Sequence, residues 1–155
     1  MRAQLDEASV IKASTQFWER MLAMTLEPVP IRGQFCVGVK HLLGSVDLAG
    51  AWNGRIEVRL TEGLALRATA AMLMQPLETV AEIDTLDATK EIANMIAGAI
   101  KSSLPRPCSM TVPEASVEAA DFCDWARTES TLAVAFQHAD GGMMVRIREQ
   151  DCAEK

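Results

Sequence analysis

LDATKEIANMIAGAIKSSL, residues 86–104, is the stretch that decides the fold, because its apolar residues recur with the period of an α-helix. Projected at about 100° per residue, the stretch separates into an apolar side and a polar side. The apolar side holds Leu86, Thr89, Ile92, Ala93, Ile96, Ile100, Ser103 and Leu104. The polar side holds Asp87, Lys90, Glu91, Asn94, Gly98, Lys101 and Ser102. We predict a helix over 86–104, capped by Asp84-Thr85, followed by Pro105 and Pro107, with one face on a core.

The chain around this helix alternates between helical and strand patterns. A first helix is predicted over residues 4–26, and the two prolines in 27–30 end it. A second, largely buried helix is predicted over residues 62–74, before Pro76. Strands are predicted at 35–39, 45–48, 55–60, 110–112, 122–125, 131–137 and 143–148. Asn53-Gly54 indicates a type I′ hairpin turn, residues 139–142 indicate a second hairpin, and the alternation in 55–60 predicts one wet face. These hairpins predict an α+β fold, with a largely antiparallel sheet packed against long helices.

Length and charge limit the classes of function. With 155 residues we expect one domain over 1–150 and a frayed tail at 151–155. A net charge of -6 argues against a general nucleic-acid or anionic-membrane binder, because polyanions repel an acidic surface. The sequence has no apolar run near the roughly 20 residues that span a bilayer, and no apolar signal segment at Met1. We therefore expect a cytoplasmic protein.

The cysteines and histidines do not follow a metal-binding pattern. Four cysteines are scattered at 36, 108, 123 and 152, and the two histidines, His41 and His138, lie near neither a cysteine nor each other. Zinc sites and disulfide frameworks need closer, recurring spacings. We expect buried, reduced thiols and no metal site.

The polar side of the 86–104 helix contains two residues that disfavour helices. Asn94 and Gly98 stand in mid-helix, and Gly costs about 1 kcal/mol relative to Ala there. With Glu91 they form one continuous strip, on which the glycine would allow another protein surface to approach closely. A merely solvated helix face would also place Glu91 and Asn94 there, so the spacing alone leaves both interpretations open.

The wider run, residues 87–105, resembles the central helix of the CheC/CheX/FliY family of chemotaxis phosphatases. The family pattern is close to E-[LI]-x-N-M-[IV]-x-G-x-x-K-[ST]-x-L, which residues 91–104 match. The glycine-led strand at 44–48, the strand at 54–60 and the Leu/Ala helix from 61 follow the family's order. Two positions depart from it: Ala99 stands where the family has Asn, and Leu73-Met74-Gln75 where it often has Gly.

This resemblance implies an activity and roles for single residues. The substrate would be the aspartyl phosphate of a CheY-like response-regulator receiver domain. By matching position, Asn94 would orient the attacking water, and Glu91 would contact the receiver's active-site lysine. Asp87, Gly98 and Lys101 would contact the partner. The Mg²⁺ would belong to the receiver, so this chain would carry no cofactor of its own.

The sequence also leads to expectations about the oligomeric state and about two alternative functions. E-x-x-N occurs once in the sequence, which favours a CheX-type protein, and the resemblance then implies a homodimer. Trp52 and the Met143-Met144 pair could serve its interface, although core packing is the simpler interpretation. One alternative function is a non-catalytic adaptor that binds a receiver domain or a flagellar switch component. Another is a pocket enzyme or sensor that uses the second helix.

Overall fold

The computed structural model describes residues 5–31, 40–118 and 132–150. Its helices are α1 (Glu7–Leu22), α2 (Glu62–Leu73) and α3 (Glu82–Lys101), with a short 3-10 helix at Leu77–Thr79. Its strands are β1 (Glu27–Val29), β2 (His41–Gly50), β3 (Gly54–Thr61), β4 (Cys108–Met110), β5 (Glu114–Glu118), β6 (Leu132–His138) and β7 (Gly141–Glu149).

The strands form one sheet in the order β1-β6-β7-β3-β2-β4, and β5 also pairs with β2. Every pairing in the described residues is antiparallel. This confirms the predicted α+β class with a largely antiparallel sheet.

Helix α3 lies across β2 and forms the main core with the sheet. Ile92, Ile96 and Ile100 are all buried on this side of the helix. The approach is close because Gly44 in β2 has no side chain: a Cβ there would lie 2.9 Å from the carbonyl oxygen of Thr89. The apolar face predicted for α3 is therefore the face that packs on the sheet.

The predicted start of α3 is wrong. The helix begins at Glu82, four residues before the predicted start, and Asp84 lies inside its first turn. There the Asp84 carboxylate accepts a hydrogen bond of 3.3 Å from the backbone N–H of Ala81. An acid in the first turn also suits the helix dipole, so Asp84 supports the start of the helix from within. At the other end, Ser103 lies beyond the last helical residue and is exposed.

Helix α1 is shorter than the predicted 4–26. Asp6 caps it by accepting a hydrogen bond of 2.9 Å from the Ser9 N–H. Ala23 ends it in the left-handed conformation, with φ 54°. Residues 27–29, which were expected only to stop the helix, pair with β6 as the edge strand β1.

The two predicted hairpins are present, but the first uses different turn chemistry. Neither Asn53 nor Gly54 has a positive φ; the residue that does is Gly50, at 136°. The Asn53 side chain closes the loop by donating to the Gly50 carbonyl at 3.0 Å. The second hairpin turns at 139–140, and Gly141 has a φ of 151°.

The predicted wet face of residues 55–60 is wrong, because Glu57 and Arg59 are buried. Arg146 from β7 binds the Glu57 carboxylate with contacts of 2.6 and 2.7 Å. Arg59 shares a hydrogen bond with the ring of buried His41, and burial lowers the pKa of Arg59 to about 10. The buried ion pair with Arg146 compensates the charge of Glu57, which the alternating pattern had assigned to solvent.

The remaining sequence predictions have mixed outcomes. The strand predicted at 110–112 lies at Cys108–Met110, and β5 was not predicted. Cys108 is half-buried with a free thiol. Trp52, Met143 and Met144 are buried, which confirms core packing for them. The predicted strands at 35–39 and 122–125, the other three cysteines and the 151–155 tail lie outside the described residues.

Candidate catalytic and docking face of helix α3

The side of α3 that faces away from the sheet carries the candidate site. Asp87, Glu91 and Gly98 are exposed, while Asn94 and Lys101 are half-buried. Glu91 and Asn94 are three residues apart, which places them about 4.5 Å from each other along the helix axis and on the same side. The structure therefore brings together all five residues that the sequence singled out, along one helix face. Their roles remain predictions.

Glu91 and Asn94 are not engaged within the part of the chain that the structure describes. Neither side chain has a hydrogen bond or an ion pair with any described residue. An amide offers both a donor and an acceptor, and a carboxylate offers an acceptor that carries a charge. Both groups are therefore available to a partner molecule, and no described contact must be broken to use them.

Gly98 has no packing role in the structure. A Cβ built at this position meets no atom within 4 Å. The glycine still lowers helix propensity by about 1 kcal/mol relative to Ala. The fold therefore gains nothing from this glycine, whereas an approaching surface would gain access to the backbone of α3.

Exposed ion pairs lie at the N-terminal end of α3. Lys40 binds Glu62 in the first turn of α2 at 3.1 Å and Glu82 in the first turn of α3 at 2.7 Å. The hydrogen bond with Glu82, followed by that with Glu62, raises the pKa of Lys40. On the candidate face itself, Asp87 lies 4.0 Å from Lys90, a surface pair that contributes little to stability.

Two apolar residues on this face were missed by the sequence analysis. Ile83 is 63% exposed and Met95 is 36% exposed. They continue the four-residue spacing of Asp87 and Glu91, so both lie on or beside the strip. Ile83 preceded the predicted start of the helix, and Met95 borders the polar side. A helix that starts at Glu82 would have revealed Ile83 as an exposed apolar residue on this face.

Other parts of the described structure hold fewer functional groups. In residues 5–31, 40–118 and 132–150, no three His, Cys, Asp or Glu side chains are grouped to hold a metal ion. A groove of about 380 Å³ lies at the end of α2, and the one charged residue in its described lining is Arg67, which binds Asp140 at 3.1 Å. That described lining offers no free catalytic group. Within those same ranges, no helix has both the length and the hydropathy needed to cross a membrane.

Comparison with known proteins gives one family and a consistent set of folds. Residues 42–136, more than half of the chain, match the family described as chemotaxis phosphatase CheX. No curated protein matches the sequence. The fold is similar to that of CheX from Vibrio vulnificus, with a TM-score of 0.70 and 19% identity, covering 93% of this chain and 95% of that one.

Two further structures share the fold. One is the complex of CheX with CheY, BeF3 and Mg²⁺ from Borrelia burgdorferi, with a TM-score of 0.64 and 17% identity, covering 93% of this chain and 97% of that chain. The other is FliY from Thermotoga maritima, with a TM-score of 0.62 and 12% identity, covering 96% of this chain and 93% of that one. At these identities the likeness concerns the fold alone.

Proposed function

The chain belongs to the CheX family of chemotaxis phosphatases, and on that basis we propose that it hydrolyses the aspartyl phosphate of a CheY-like receiver domain. It would act in trans, through the exposed face of α3. The observation that carries this proposal is the pair Glu91 and Asn94, which is unengaged by the described residues and lies beside the open Gly98. The complex of CheX with CheY from Borrelia burgdorferi supports a partner of this kind.

The reaction needs one water molecule placed in line with the bond between phosphorus and the aspartyl oxygen. Water attacks phosphorus, that bond breaks, and the products are inorganic phosphate and the free aspartate carboxylate. The transition state spreads its charge over the phosphoryl oxygens, so positioning and electrostatics dominate catalysis. No covalent intermediate on this chain is required.

Asn94 would hold the attacking water. Its amide can accept a hydrogen bond from the water and donate one to a phosphoryl oxygen. Because Asn94 is half-buried on a helix that is anchored on the sheet, its position is restricted before the partner arrives. Such restriction is what makes orientation effective in catalysis.

Glu91 would set the position of the partner. A carboxylate makes strong, charge-assisted hydrogen bonds with an ammonium group, so it would pair with the receiver's active-site lysine. Asp87, Gly98 and Lys101 would complete the contact. The Mg²⁺ would come with the receiver and neutralise phosphoryl charge. A cytoplasmic location and a homodimer, both expected from the sequence, belong to this proposal.

The proposal is tested by following phosphate loss from phosphorylated receiver domains of the same organism. We expect the wild type to accelerate the loss, and Asn94→Ala and Glu91→Gln to return it to near the spontaneous rate. Glu19→Gln is the matched control, because Glu19 is an exposed carboxylate on α1. If the wild type binds a receiver without accelerating the loss, the chain is an adaptor. If no native receiver loses phosphate faster, the phosphatase proposal is wrong.

A further inference from the structure

A second feature adjoins the candidate face at the C-terminal end of α3. An open groove of about 490 Å³ lies there. It is lined by Gly98, Lys101, Ser102, Arg106, Pro107 and Cys108. Gly98 and Lys101 belong to both features, so the groove continues the face that carries Glu91 and Asn94.

The described lining of the groove is positively charged, although the protein is acidic. Among the described residues that line it, Lys101 and Arg106 are the only charged ones, whereas the chain as a whole has a net charge of -6. Neither cation has an ion pair or a side-chain hydrogen bond with any residue of the described ranges. Two cations that line one groove, with no described carboxylate on them, attract an anionic group.

The wall that carries Arg106 is held in place. The carbonyl oxygen of Pro107 accepts a hydrogen bond of 2.8 Å from the N–H of Ala51, and Cys108 pairs with Gly50 in the sheet. A side chain at Gly50 would lie 2.4 Å from that carbonyl, so the close packing of the segment depends on this glycine. Arg106 therefore directly precedes a backbone segment that is held against the β2–β3 hairpin.

Building on the proposed function, we infer that this groove binds a carboxylate-bearing loop of the receiver domain beside its phosphorylation site. Lys101 is seven residues from Asn94, which is about 10 Å along the helix axis. A receiver that holds Mg²⁺ must present carboxylates around its phosphorylated aspartate, because Mg²⁺ takes oxygen ligands. When the phosphoryl group lies at Asn94, the acidic rim of that site lies within reach of Lys101 and Arg106.

The groove thereby gives the complex a single orientation. Glu91 attracts a cation of the receiver one turn before Asn94, and the groove attracts anions beyond Gly98. A receiver turned by half a revolution would place like charges together at both ends, which costs binding free energy. Arg106, which the sequence analysis did not single out, would be a receiver-binding residue that acts on affinity.

The test measures binding and catalysis separately. The probe is the full receiver domain loaded with BeF3 and Mg²⁺, titrated against wild type, Lys101→Glu, Arg106→Glu and Arg20→Glu. Arg20 is the matched control, because it is an exposed cation in the last turn of α1 and its reversal changes the net charge equally. We expect Lys101→Glu and Arg106→Glu each to weaken binding about tenfold, mainly through association. The rate at saturation should stay near that of the wild type.

Charge reversals on the receiver identify which of its loops occupies the groove. Acidic residues at the rim of the receiver site are reversed to lysine one at a time, and one reversal should restore the affinity of Arg106→Glu. Affinity equal to that of Arg20→Glu would overturn the inference, as would a loss of self-association with receiver binding intact. The phosphatase proposal fails separately, when Asn94→Ala keeps the wild-type rate.

Discussion

Replacing Gly98 should affect the stability of the fold and the binding of the partner in opposite directions. Because a Cβ at this position meets no atom within 4 Å, Gly98→Ala gains helix propensity without a clash. The expected gain in the free energy of unfolding is about 1 kcal/mol. In a domain of this size that raises the midpoint of thermal unfolding by about 2–4 °C. Gly98→Leu should likewise leave the fold intact.

The same replacement should impair the reaction. If the receiver approaches the backbone of α3 at Gly98, a leucine there overpacks the interface, which costs about 1–3 kcal/mol. The KM for the phosphorylated receiver should then rise about 5- to 150-fold, with little change in kcat. The assay is thermal unfolding together with steady-state phosphate release. Ala99→Leu is the control, since Ala99 is exposed but lies off the strip.

Two results would refute this reasoning. A wild-type KM in Gly98→Leu would mean that no surface approaches the helix at this point. A lower unfolding midpoint in Gly98→Ala would mean that the space beside Gly98 is not open.

Three further predictions concern the fold that presents the site. Gly44→Ala places a Cβ 2.9 Å from the Thr89 carbonyl, so urea unfolding should show a loss of about 1–3 kcal/mol; an unchanged midpoint would contradict the close approach of α3. Glu57→Gln leaves Arg146 without its buried carboxylate and should cost about 3–5 kcal/mol, whereas replacing both residues with methionine should recover most of the loss. If the double variant is no more stable than the single one, the ion pair is not the cause. Hydrogen bonds from Ser9 lower the pKa of Asp6 from 3.8, so the contribution of Asp6 is present above that value and is lost as pH falls through the lowered pKa. The difference in unfolding midpoint between wild type and Asp6→Asn should therefore shrink as the pH falls below 3.8, and a difference that is constant with pH would contradict this.

The sequence predicts the α3 faces well, because helical periodicity is a local property. The buried Ile92 and Ile96 and the exposed Glu91 and Gly98 follow directly from the spacing. The start of the helix could not be placed in the same way: Asp84 can cap a helix from outside or support it from the first turn, and both look alike in sequence.

Tertiary packing decides three features that local sequence patterns could not predict: the burial of the second face of β3, the turn after β2, and the position of Arg106. Alternation along β3 separates two faces, but it does not say whether the second face is covered, so the burial of Glu57 was missed. The turn after β2 takes its positive φ at Gly50 and not at Asn53-Gly54, because the loop packs against residues 107–108. Arg106 lies beside Lys101 only because that same segment folds back onto the hairpin.

The role of Asn94 tests the central claim most directly. The measurement is the rate constant for phosphate loss from a receiver saturated with wild type or with Asn94→Ala, alongside the affinity of each for the BeF3-loaded receiver. Losing one preorganised group in a phosphoryl-transfer site lowers the rate about 100-fold. We predict such a fall for Asn94→Ala with the affinity unchanged. A rate constant equal to that of the wild type at saturation would contradict the proposed mechanism.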